Sequence, residues 1–234
     1  MAKAYTIKNT TERLENADAS TLYKAGCLNW KGNTKEGSAY SEVIAEYLLK
    51  LRVKELLSQI PSIKREDYNV EHEGIIRSVS NRHEEKFAIG VLNKSLPFLG
   101  RIINYQVPLK SRQSDKTGKI DLIAYRENQK NAALIIELKF MENKETLLRA
   151  ALEISTYYRM LSHEYFLASY EKFKGLKPQN IRKALLLGVD TQSYKDARNL
   201  ENLPNVRRLL LDLELEIYGL RIVEGHPEIE RIAF

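Results

Sequence analysis

Hydrophobic residues recur with helical spacing through the first part of the chain. In the stretch 40–60, YSEVIAEYLLKLRVKELLSQI, apolar side chains gather on one face, which predicts an amphipathic helix. Pro61 should end this helix, because proline has no amide hydrogen and clashes with the preceding turn. The polar stretch 62–74 follows and indicates a boundary. The sequence therefore predicts a helical N-terminal region, 1–75, and a second domain, 76–234.

The second region changes from a helical period to a period of two. Residues 82–96 predict one more helix before the change, closed by Pro97 and Gly100. The short apolar or alternating segments that follow predict strands at 101–110, 118–125, 132–140, 181–190 and 211–217, with a helix at 145–161. This order of elements predicts an α/β domain in which helices flank a mixed central sheet.

Two acidic residues interrupt predicted strands, where an ionised carboxylate is costly. Asp121 lies within GKIDLIAY, and Glu137 follows the apolar run AALII. Lys139 stands two residues after Glu137, so the two side chains leave the same face of the strand. A hairpin turn centred near Gln129 would place Asp121 directly across from Glu137, with their Cβ atoms roughly 5 Å apart.

Two carboxylates at this distance repel each other unless a positive charge lies between them. A divalent cation is the natural candidate, because Mg²⁺ or Mn²⁺ takes hard oxygen ligands and is often held by one or two carboxylates together with water and substrate phosphates. Lys139 would then activate water or neutralise charge that develops on a phosphate. The pattern predicts phosphodiester hydrolysis.

The arrangement resembles the PD-(D/E)XK nuclease superfamily, which has the restriction-endonuclease-like fold. The matching residues are Asp121 in one strand and Glu137-Leu138-Lys139 in the next, followed by a helix. The resemblance implies that Asp121 and Glu137 bind metal and that Lys139 is the catalytic lysine. A further metal-binding acid is expected from the preceding helix, where Glu84 is favoured and Glu85 is the competitor.

One branch of the superfamily, similar to the RecB-type nucleases, carries Gln-x-x-x-Tyr in the helix after the motif. The comparable residues here are Glu153 and Tyr157, so the tyrosine matches and the glutamine does not. Both count as accessory candidates. Glu153 also stands four residues after Arg149, a spacing that produces ordinary surface ion pairs.

The charge of the chain allows a nucleic-acid partner. The net charge is +6, and two segments concentrate the bases: 110–119 has four bases and one acid, and 172–183 has five bases and no acid. Such clusters gather phosphates through counterion release. The expected DNA phosphate contacts are Lys110, Arg112, Lys116, Lys119, Lys172, Lys174, Lys177, Arg182 and Lys183.

Other classes of protein fit the sequence less well. The single cysteine, Cys27, excludes a disulfide framework and indicates a reducing compartment, and the four histidines share no spacing typical of zinc ligands. The sequence lacks a segment typical of a signal peptide or a membrane span, so a cytoplasmic protein is expected.

The sequence therefore predicts a Mg²⁺- or Mn²⁺-dependent nuclease that hydrolyses DNA, as a homodimer if it cuts both strands of a duplex or as part of a larger complex. Two alternatives remain open. Asp121, Glu137 and Lys139 could form a structural ion pair in the sheet, and the domain could be an inactive module that binds nucleic acid or a protein partner.

Overall fold

A computed structural model describes residues 4–15, 17–72, 83–110, 118–127 and 131–234. The predicted domain boundary at 75/76, the hairpin turn near Gln129, and the predicted DNA contacts Arg112 and Lys116 all lie outside these residues. The described helices are α1 Ile7–Glu15, α2 Tyr40–Lys50, α3 Val53–Ser58, α4 His83–Val91, α5 Leu147–Met160, α6 His163–Ala168, α7 Gln192–Ala197 and α8 Pro204–Asp212.

In the described parts of the chain, seven strands form one mixed sheet and lie side by side in chain order. They are β1 Ser95–Leu96, β2 Gly100–Pro108, β3 Lys119–Arg126, β4 Ala132–Lys139, β5 Ile181–Gly188, β6 Leu215–Val223 and β7 His226–Arg231. Strands β4, β5 and β6 run parallel to one another, and the other neighbours are antiparallel. The predicted mixed α/β fold with flanking helices is confirmed.

The two faces of the sheet lie in two separate hydrophobic cores. In β4, Ala133 and Ile135 pack in the larger core together with α5, whereas Leu134 and Ile136 pack in the smaller core together with α4. Helices α5 and α4 therefore lie on opposite faces of the sheet, α5 against β4 and α4 against β2 and β3, and every residue of β4 is buried. The side chains of β4 are consequently packed in a hydrophobic core on each face of the sheet.

The N-terminal helices belong to the larger core. Leu48 of α2 and Leu57 of α3 pack in the same cluster as Leu148 of α5, and α2 also lies against α8. Helices α1, α2 and α3 lie in this region. These helices support the sheet by covering α5 and α8. None of the helices in the described residues is long and apolar enough to cross a membrane.

Three predicted elements differ from the structure. The helix expected over 40–60 breaks into α2 and α3 at Arg52, whose φ of 52° is left-handed. The helix expected over 82–96 ends at Val91, and Ser95–Leu96 pair with the start of β2. The strand expected over 211–217 was wrong in its first half, because α8 continues to Asp212 and β6 begins only at Leu215.

Candidate active site at the end of the central strands

The antiparallel pair β3–β4 brings the two predicted acids together. Leu122 pairs with Ile136, which is the register predicted from the sequence, and one further step along both strands leads to Asp121 and Glu137. The Asp121 carboxylate accepts a hydrogen bond through Oδ2 from the backbone N–H of Leu138, at 2.9 Å. The predicted register is therefore confirmed as far as the Leu122–Ile136 pair, and Asp121 lies against the β4 backbone at Leu138.

Lys139 lies among carboxylates on the face of the sheet that α5 covers. Its Nζ is 2.8 Å from Glu137 Oε1, 2.5 Å from Glu145 Oε2 and 3.2 Å from Glu153 Oε2. The Lys139 side chain is only 6% exposed. We call Glu137, Glu145 and Glu153 the acid shell of Lys139. Three ion pairs to a single buried amine leave an excess of negative charge around it.

Glu145 is the member of the acid shell that the sequence analysis missed. It lies just before α5 and also pairs with Arg149 Nε at 2.8 Å. The sequence spacing suggested instead that Arg149 would pair with Glu153 on the surface. The ion pair Arg149–Glu145 leaves Glu153 available to Lys139, and a reading of the spacing in both directions along the helix would have suggested it.

Glu153 and Tyr157, the two accessory candidates, contact each other. The Tyr157 hydroxyl donates to Glu153 Oε1 at 2.8 Å, while the other Glu153 oxygen contacts Lys139. The phenol also lies against Gly118 at the start of β3, and a Cβ at Gly118 would overlap with Tyr157 Oη. Tyr157 is thus held between α5 and β3, with its hydroxyl aimed at the acid shell.

Glu84 and Glu85, the candidates on α4, line a cleft of about 470 Å³ at the end of the sheet. Glu84 Oε1 accepts from the backbone N–H of Phe140 at 3.2 Å and from Asn143 Nδ2 at 3.1 Å. These bonds fix Glu84 where β4 ends. Lys119 also lines the cleft, so one predicted phosphate contact lies beside the candidate acids.

Burial and mutual repulsion raise the pKa values of the strand carboxyls. Burial raises the pKa of Asp121 to about 7, against the opposing effect of the nearby Lys139 charge. Burial also raises the pKa of Glu137 well above its usual value, and the charge on Asp121 adds to the rise. For Lys139, burial alone would lower the pKa, but the surrounding carboxylates, led by Glu137, raise it well above the usual value.

The chemistry of these side chains fits a divalent cation, although a finished site is not formed. Glu137 Oε2 is buried and has no hydrogen-bond partner among the residues that the structure describes. Nevertheless, within the described ranges no three His, Cys, Asp or Glu side chains come together as a metal site requires. A cation would have to compete with Lys139 for Glu137.

The other predicted DNA contacts lie further away. Strand β5 runs parallel to β4, and Lys183 lies beside Ile135, four residues or roughly 13 Å before the position of Lys139. Arg182 is exposed beside Leu134, and Lys172, Lys174 and Lys177 are exposed in the segment that leads into β5. Lys110 lies at the end of β2, where its carbonyl accepts from Arg65.

No family model, curated protein or solved structure matches this chain. The resemblance to PD-(D/E)XK nucleases therefore stays a prediction from the motif.

Proposed function

We propose that this protein is a Mg²⁺- or Mn²⁺-dependent nuclease that hydrolyses DNA phosphodiester bonds on a restriction-endonuclease-like core. The order of the central elements supports this proposal: helix α4, the antiparallel strands β2, β3 and β4, helix α5, and strand β5 parallel to β4. Asp121 and the Glu137–Lys139 pair occupy the ends of the two central strands of this core.

The observation that carries the proposal is the buried Oε2 atom of Glu137, which has no hydrogen-bond partner among the described residues. A protein that needed these acids only for stability would satisfy both oxygens, because an unsatisfied buried acceptor costs about 1–3 kcal/mol. Costly, electrostatically perturbed groups of this kind concentrate at functional sites. A cleft lined by Glu84, Gln106 and Lys119 opens at this end of the sheet.

Asp121 and Glu137 would hold the cation, with Glu84 as a further ligand from α4. The bound ion supplies Lewis-acid stabilisation of the phosphate and lowers the pKa of water. Lys139, freed from Glu137 by the cation, would orient water or neutralise charge on the phosphate. Glu153 would keep its bond to the Lys139 amine, and Tyr157 would hold Glu153 in place. Lys119 would contact the DNA backbone at the mouth of the cleft.

The test is cleavage of circular and linear DNA, single- and double-stranded, in Mg²⁺, Mn²⁺ or EDTA. We expect metal-dependent cleavage that falls by at least about 10³-fold in Lys139→Ala and in Asp121→Ala, because an aligned charge is a large catalytic contribution. Lys50→Ala is the matched control, since Lys50 forms an exposed ion pair with Glu46 at 2.6 Å. Equal rates in wild type and Lys139→Ala would overturn the proposal.

A second candidate function is an inactive module that binds nucleic acid or a protein partner. Two observations favour it: Lys139 is closed in by three carboxylates, and the described residues do not form a complete metal site. In that case wild-type protein would bind DNA equally well in EDTA and in Mg²⁺, and it would cut none of the substrates. Carboxylate-dependent Mn²⁺ binding would exclude this candidate.

A further inference from the structure

Gln106 lies on β2, at the point where the side chains of β2 and of its neighbour β3 switch from one face of the sheet to the other. On one side of it Tyr105 pairs with Leu122, and both pack in the smaller core. On the other side Val107 pairs with Ile120, and both pack in the larger core. Side chains two residues apart in a regular strand share a face, so both strands must twist at Gln106 and Asp121.

The backbone of Gln106 accounts for this twist. Its φ is 47°, a left-handed conformation that costs roughly 1 kcal/mol for a residue with a Cβ and that glycine adopts freely. Strain of this kind persists only where the surrounding structure requires it, and it concentrates at functional sites. A glycine at position 106 would produce the same twist without the strain. The side chain of Gln106 must therefore contribute something that glycine lacks.

That contribution is a hydrogen bond to the candidate metal ligand. Gln106 Nε2 donates to Asp121 Oδ1 at 2.9 Å, and Leu138 N–H donates to the second oxygen, Oδ2. The two donors fix both the position and the rotation of the carboxylate. Each oxygen keeps a lone pair for a further contact. Gln106 also lines the cleft that holds Glu84 and Lys119.

We infer that Gln106 is a positioning residue that orients the Asp121 carboxylate toward a divalent cation bound between Asp121 and Glu137. This inference rests on the proposed function. Outer partners of metal ligands typically change metal affinity by 10–100-fold when they are removed. The strained strand conformation is then the structural cost of the correct carboxylate orientation.

The experiment compares Gln106→Gly with wild type by calorimetric titration with Mn²⁺, together with kcat and KM for DNA cleavage. We expect Mn²⁺ affinity to weaken by at least about tenfold and kcat to fall, with KM for DNA within about twofold. Gln106→Asn is the second variant, because asparagine tolerates the left-handed backbone but is one methylene too short to reach Asp121. Urea unfolding shows that each variant is folded under assay conditions.

Glu224→Gly is the matched control. Glu224 has a φ of 49° in the exposed turn between β6 and β7, so glycine relieves the same strain far from the acids. Its Mn²⁺ affinity should equal that of wild type. If wild type binds Mn²⁺ and both Gln106 variants bind it equally well, the positioning role of Gln106 is overturned and the proposed nuclease function is not. Absence of Mn²⁺ binding by wild type would overturn both.

Discussion

A buried lysine and a half-buried lysine on neighbouring parallel strands of one sheet have opposite surroundings. Lys139, at the end of β4, contacts three carboxylates, which raise its pKa well above the usual value. Lys183, near the start of β5, has no carboxylate within 4 Å among the described residues. Its amine lies 4.7 Å from the centre of the Tyr158 ring. Burial lowers the pKa of Lys183 to about 8.

Burial disfavours the charged form of both lysines, so the neighbours determine the difference. At Lys183 a cation–π contact replaces an ion pair, and the effect of the Glu214 charge, which favours protonation, is opposed by the charge of Arg159. At Lys139 the acids outnumber the cations, and the amine neutralises charges that would otherwise repel one another. The surroundings of Lys139 stabilise its charged form, whereas those of Lys183 destabilise it.

Removal of Lys139 should produce the largest effect. We expect Lys139→Met to lower the free energy of unfolding by about 3–5 kcal/mol at pH 8, because it leaves buried carboxylates without their cation. The loss should shrink at pH 5, since carboxyls with raised pKa values, such as Glu137, then take up protons. Urea unfolding at both pH values measures this difference.

Lys50→Met is the control for Lys139→Met. The exposed Lys50–Glu46 pair should contribute less than about 1 kcal/mol. A loss in Lys139→Met no larger than in this control would show that the acid shell is already protonated in the folded protein.

Substitution of Lys183 should change the free energy of unfolding in the opposite direction. Its pKa of about 8 in the folded protein lies below the ordinary value of 10.5, so the charged form costs free energy at neutral pH, and the cost disappears as pH rises from about 8 toward 10.5. Lys183→Met should therefore raise the free energy of unfolding at pH 7 by up to about 2 kcal/mol, after allowance for partial exposure.

The gain from Lys183→Met should fall toward zero at pH 10, and urea unfolding across this range tests it. The exposed neighbour Arg182 supplies the control, because Arg182→Met removes a charge at the same place without removing a half-buried one. A loss of stability in Lys183→Met at pH 7 would contradict the comparison, since it would mean that the folded protein favours the charged amine.

The acidic residues were predictable because a strand has a strict period of two. Glu137 and Lys139 had to share a face, and the predicted register brought Asp121 close to the end of β4. Glu145 and Gln106 escaped prediction for physical reasons. Glu145 reaches Lys139 only through the path of the chain into α5, and the left-handed backbone of Gln106 has no signal in residue type.

Two elements were predicted wrongly or missed because the hydrophobic pattern of a short segment fits more than one structure. Leu211 and Leu213 alternate with acids as in a strand, but Val206, Leu209, Leu210 and Leu213 are buried with helical spacing after Pro204, so the helix prevails. Strand β7 was not predicted because it is a largely exposed edge strand, in which no apolar alternation is needed. Packing in the folded protein decided both cases.

The smallest effect should come from Tyr157, which supports the acid shell from outside. Its hydroxyl donates to Glu153 at 2.8 Å, so Tyr157→Phe removes one charge-assisted hydrogen bond and leaves the ring in place. We expect a loss of about 1 kcal/mol in the free energy of unfolding at pH 8, measured by urea unfolding. Tyr165→Phe is the control, because Tyr165 is 48% exposed and its substitution should change the free energy of unfolding little.

In the double variant Tyr157→Phe/Lys139→Met the two losses should not add, because both residues contact Glu153. Strict additivity would show that the Tyr157 hydroxyl and the Lys139 amine stabilise the protein independently of each other.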